Sequence, residues 1–113
     1  MTMAMSKDIF VLFPVAGKTR EQNEDMLSAV KAKLIPDGYL PMHNVNGMVD
    51  TITEHKAALL EIKSVLLYRI SKDLDALNRC GRLYLCGEWR DDEECTMVRC
   101  VAERIGIEVI YER

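Results

Sequence analysis

At 113 residues, 49% apolar and 29% charged, the chain suits one globular core and excludes two independent domains. Its 15 Lys and Arg against 18 Asp and Glu give a formal net charge of −3, with the basic residues scattered, so the positive field that non-specific nucleic-acid binding needs is absent. No apolar run approaches the roughly 20 residues that span a bilayer, and Met1 to Lys7 lacks the apolar centre of a signal peptide, so no membrane association and a cytoplasmic location are expected.

Met1, Met3 and Met5 suggest an alternative start or an extra segment, and residues 1–7 are read as disordered or additional to a single domain. Asp8-Ile9-Phe10-Val11-Leu12-Phe13 is an apolar run closed by Pro14-Val15-Ala16-Gly17, the pattern of a strand buried on both faces. Thr19 with Gln22 is a capping box for a helix over 20–34, whose apolar stripe is Met26, Leu27, Val30 and Leu34. Pro36-Asp37-Gly38 stops it.

Residues 39–43 predict a second strand, placed at a sheet edge by Pro41, which cannot donate to a ladder. Thr51 and Glu54 form another capping box, and Ile52, Leu59, Ile62, Leu66, Ile70, Leu74 and Leu77 carry a helical stripe. So long a helix implies a break near Lys63 and Ser64 or a projecting part that packs on another subunit. Residues 82–86 read as the third strand, ending at Gly87-Glu88-Trp89. Asp91 to Glu94 open a helix to about Ile105, their charge favourable at its N-terminus. Gly106 turns the chain into a last strand over 107–111.

Strands alternating with helices predict a three-layer α/β/α sandwich around a short parallel sheet of about four strands, Rossmann- or flavodoxin-like. Ligands of such sheets bind beyond the carboxyl ends of the strands, where the strand order reverses. The turns Phe13 to Gly17 and Gly87 to Asp92 would line that crevice. Cys80, Cys86, Cys95 and Cys100 match neither a CxxC pair nor a zinc-finger spacing and read as buried free thiols. No metal site or cofactor is expected.

The order of elements resembles the nucleoside 2-deoxyribosyltransferase superfamily, in particular a small branch often carried by phages. Phe13-Pro14-Val15-Ala16-Gly17 stands where that branch has a Gly-Pro-Met-Thr-Gly-like turn, keeping the proline and second glycine; Asn23 and His43-Asn44 match further positions. From Asp73 to Arg113 the match is gapless through Asp73-Leu74, Leu77, Cys80, Leu83 to Leu85, Gly87, Trp89, and Ala102 to Ile107. The family's Ser-x-Gly-x-x-x-Glu motif, whose glutamate bonds covalently to the anomeric carbon, falls on Asp92, Glu94 and Val98. Valine cannot be a nucleophile.

The resemblance therefore implies a domain that binds a nucleoside or nucleotide derivative and lacks the covalent glycosyl transfer. If activity survives, it is transfer or hydrolysis of an N-glycosidic bond by a displaced carboxylate, with Glu94 and Asp92 the candidate catalytic residues. Glu94 lies one turn before Val98 on the same helix face, and reads alternatively as a capping residue. Candidate ligand contacts are Pro14, Val15, Ala16, Gly17, His43, Asp73, Gly87 and Trp89. Trp89 either stacks on a base or covers the core; Asp73 is either a solvated helix charge or a crevice residue; His43 is either an acid–base group or a plain surface histidine. The acidic helix start disfavours phosphate there. A reading from another class is a protein-interaction module, phage-encoded or not, acting as a homo-oligomer or on a host partner.

Overall fold

The computed structural model describes residues 7–15, 17–43, 59 and 65–112. Strand β1 (Asp8–Leu12) leads to helix α1 (Arg20–Leu34), β2 (Leu40–Met42), α2 (Val65–Cys80), β3 (Arg82–Leu85), α3 (Glu93–Arg104) and β4 (Glu108–Tyr111). Single 3-10 turns occupy Ile35–Asp37 and Trp89–Asp91. The four strands form one all-parallel sheet in the order β2-β1-β3-β4.

The layers follow from β1. Because side chains alternate across a strand, Ile9, Val11 and Phe13 pack with Leu27, Val30 and Leu34 of α1, while Phe10 and Leu12 pack with Ile70, Ala76 and Leu77 of α2 and Cys95, Val98 and Ala102 of α3. Ile9 and Phe10 are fully buried, each contributing about 1.5–3 kcal/mol. Helices thus cover both faces, which is why β1 reads as a continuous apolar run and not an alternating one. The edge strands β2 and β4 are only half-buried, and Pro41 sits in β2 as expected of an edge.

The local signals in α1 are realised as written. The Thr19 hydroxyl accepts from the Gln22 N–H at 3.1 Å and Gln22 Oε1 accepts from the Thr19 N–H at 2.9 Å, completing the capping box. Gly38 adopts φ +89°, the left-handed turn that reverses the chain into β2.

Several details differ from the sequence reading. Helix α3 begins at Glu93, with Asp92 as its cap, because Trp89 to Asp91 form a separate turn. Three thiols are buried but Cys100 is exposed, on the solvent side of α3 in phase with Arg104. The expected capping box at Thr51 and Glu54, the break near Lys63 and Ser64, and Asn44 lie outside the described residues. No helix among those described is long and apolar enough to cross a membrane.

Candidate functional site

The strand order reverses between β1 and β3: from β1 the chain crosses to β2 on one side, then to β3 on the other. Beside the carboxyl end of β1 lies a cavity of about 10 Å³ lined by Val11, Leu12, Phe13, Val15, Arg69, Asp73 and Glu94. That volume accommodates about one water molecule, far below the roughly 300 Å³ or more of a preformed small-molecule pocket.

Its charged lining comes from two helices. Arg69 and Asp73 are one turn apart on the buried face of α2, among Tyr68, Ile70, Ala76 and Leu77. Glu94 comes from the first turn of α3, and Arg69 Nε donates to its Oε1 at 2.8 Å. The Arg69 and Glu94 side chains are only 8% and 9% exposed, and Asp73 is 1% exposed. Charges so buried are tolerated when they are paired and hydrogen-bonded. The cluster therefore ties α2 to α3 and sets two carboxylates and one guanidinium around a space the size of a hydroxyl group.

Of the sequence candidates, Val15, Asp73 and Glu94 converge on this cavity. Asp73 is not a solvated helix charge, and Glu94 faces the sheet instead of serving as a terminal cap. The capping role belongs to Asp92, whose Oδ2 accepts from the Cys95 N–H at 2.9 Å. Val98 is fully buried in the cluster that holds Phe10, Leu12 and Leu85, so this position is core.

Other candidates lie around the rim. Pro14 is buried, Gly17 is exposed, and Ala16 is outside the described residues. The buried Asn23 donates from Nδ2 to the Val15 carbonyl at 3.4 Å, joining α1 to the turn after β1. Gly87, at φ +66°, packs so closely that a Cβ there would stand 3.1 Å from Met26 Cε, 3.6 Å from Pro14 Cδ and 3.8 Å from Phe13 Cβ, so the two turns touch. Trp89 belongs to the core: its ring lies 5.2 Å from that of Tyr111, with the guanidinium groups of Arg90 and Arg99 at 4.8 and 5.6 Å. His43, half-buried after β2, has its pKa lowered by burial and then by Lys31.

The thiols are chemically quiet. Burial pushes Cys86 up to about 12 and raises Cys95 further, helped by Asp92, so neither supplies a thiolate near neutrality. No three His, Cys, Asp or Glu side chains among the described residues group closely enough to hold a metal ion.

The residue that sequence reasoning missed is Arg69. Its signal was its phase: Leu66, Arg69, Ile70, Asp73, Ala76, Leu77 and Cys80 share one helical face, so two opposite charges one turn apart interrupt an apolar stripe.

Fold and site together define an open, doubly wound α/β domain of flavodoxin-like order with a buried ionic cluster beneath its switch point. Comparisons with protein-family models, with curated proteins and with solved structures each yield no significant match.

Proposed function

We propose that this domain binds a nucleoside or nucleotide derivative in the crevice at the carboxyl ends of β1 and β3, and that it does not perform covalent glycosyl transfer. The carrying observation is the convergence of Asp73, Glu94 and Arg69 on the cavity beneath the switch point. Carboxyl oxygens accept hydrogen bonds, which suits a ligand hydroxyl or amino group. Two features argue against a covalent intermediate. Val98 offers no nucleophile, and Glu94 is already held by Arg69 inside a space too small to admit a sugar ring without movement.

The test is a thermal-shift panel of nucleosides, nucleotides and free sugars, followed by a base-release assay on whatever binds. Saturable stabilisation without release of base is the expected result, since a ligand selective for the folded state raises its stability with concentration. Release of free base at a rate abolished by Glu94→Gln overturns the non-catalytic part of the reading. An inert panel overturns the binding part.

A second reading, a protein-interaction module that forms a homo-oligomer or binds another protein, is favoured by Leu67 of α2 and Met97 of α3, which are 55% and 47% exposed. Light scattering tests the homo-oligomer: a monomer at high micromolar concentration removes it.

A further inference from the structure

We propose that the Gly87 N–H and the Lys33 ammonium form a subsite for a small oxyanion, a carboxylate or phosphate group of a ligand, and that Glu112 occupies it from within the chain. The inference goes beyond the binding reading above and does not depend on the cavity at Arg69.

Glu112 directly follows β4, and its N–H donates to the Leu85 carbonyl at 2.9 Å, which carries its side chain to the end of β3. There the two carboxylate oxygens are divided between two donors. Oε1 accepts from the Gly87 N–H at 3.3 Å and Oε2 accepts from Lys33 Nζ at 2.9 Å. A backbone N–H and an ammonium sharing one bidentate anion is the donor arrangement that recognises carboxylates and phosphates generally.

The location makes this more than a surface ion pair. Gly87 is where the turn after β3 meets the turn after β1, against Pro14 and Phe13. The anion thus stands at the switch point itself, where doubly wound sheets receive their ligands. The nearby Cys86 thiol feels the same charges: Glu112 raises its pKa, whereas Lys33 and, from the turn after β1, Lys18 lower it. The start of α3, the other place where a switch-point crevice commonly binds anions, carries Asp92, Glu93 and Glu94 and repels them.

The occupant is exchangeable. The side chains of Lys33 and Glu112 are 57% and 24% exposed, so an anion in solution reaches the ammonium directly. An exposed pair of this kind contributes little to folding, and replacing one oxyanion by another restores both hydrogen bonds. Glu112 then acts as a tethered competitor that keeps weak anions out.

The experiment follows the Gly87 amide resonance, with the melting midpoint, in wild type and Glu112→Gln during titration with inorganic phosphate and, separately, acetate. Chloride at matched ionic strength is the control. In Glu112→Gln one of the two anions should shift the Gly87 amide saturably and bind roughly tenfold more tightly than to wild type, because a tethered group competes at millimolar effective concentration. Lys33→Met in the same background should abolish the response. The anion that acts decides between phosphate and carboxylate. No amide shift with either anion, a response equal to that of chloride, or a response that survives Lys33→Met overturns the proposal. Should Glu112→Gln fail to fold, wild type alone decides: a saturable Gly87 shift at high phosphate or acetate, lost in Lys33→Met, supports the subsite, and a flat titration overturns it. An inert nucleoside panel leaves this outcome unaffected, so the two readings fail separately.

Discussion

Arg69 Nε lies 2.8 Å from Glu94 Oε1 in a contact that bridges α2 and α3 with both side chains more than nine-tenths buried. Removing one member strands the other in a low-dielectric setting. Arg69→Met and Glu94→Gln should each destabilise the fold, Arg69→Met by about 3–5 kcal/mol, as for broken buried pairs generally. Combining the two substitutions in one chain should cost less than the sum of the single changes. Urea unfolding of the four proteins in a double-mutant cycle checks this; additive losses would show that the pair is not coupled.

Val98 fills core space against Phe10, Leu12 and Leu85. Val98→Glu should therefore unfold or severely destabilise the protein, because an uncompensated carboxylate would be buried beside a sheet. Circular dichroism of the purified variant is sufficient. A folded Val98→Glu protein with normal stability would mean that this helix face opens more readily than its packing implies.

His43 titrates below its ordinary 6.5, chiefly through burial and secondarily through Lys31. Between its folded pKa and 6.5 the unfolded chain binds the proton that the folded one refuses. Stability from this group is therefore intact above pH 6.5 and is lost as pH falls through that window. His43→Asn should flatten this part of the stability profile between about pH 5 and 7, measured by chemical unfolding at fixed ionic strength.

The four cysteines should separate by reactivity. Cys100 is exposed, whereas Cys80, Cys86 and Cys95 are buried, and burial raises all three of their pKa values. A thiol reagent at pH 8 should label one cysteine per native chain rapidly and the remainder only on unfolding. Rapid labelling of Cys86 would indicate opening around the Gly87 turn.

Thr19→Ala should remove the hydroxyl half of the α1 capping box and cost about 1 kcal/mol, with the loss seen in thermal unfolding and no change in the exposure of Cys86. The box is local: its donors and acceptors lie within three residues of each other.

That locality explains what was legible. The span of α1, the strand cores, the edge position of β2 and the three-layer parallel architecture all follow from short-range patterns: apolar runs, helical stripes, capping pairs and a proline. Periodicity marks which face of an element is buried, and β1 with helices on both sides is the physical meaning of its unbroken apolar run.

The site needed the tertiary structure. Asp73 and Glu94 were visible as candidates, and the phase of Arg69 one turn before Asp73 sets both on one face of α2, yet nothing near Glu94 in sequence shows that Arg69 reaches it from the neighbouring helix, and the same Asp73 was compatible with solvent until α2 was set against β1. Glu112 and Lys33 are likewise distant in sequence and meet because the β3–β4 ladder carries Glu112 to the end of β3, within reach of α1. Secondary structure is decided by neighbours within a few residues, so the amino-acid sequence by itself determined the elements and their buried faces. Charge pairing across helices depends on how those faces stack, and only the packed sheet decided that two carboxylates and an arginine would share one small cavity beneath the switch point.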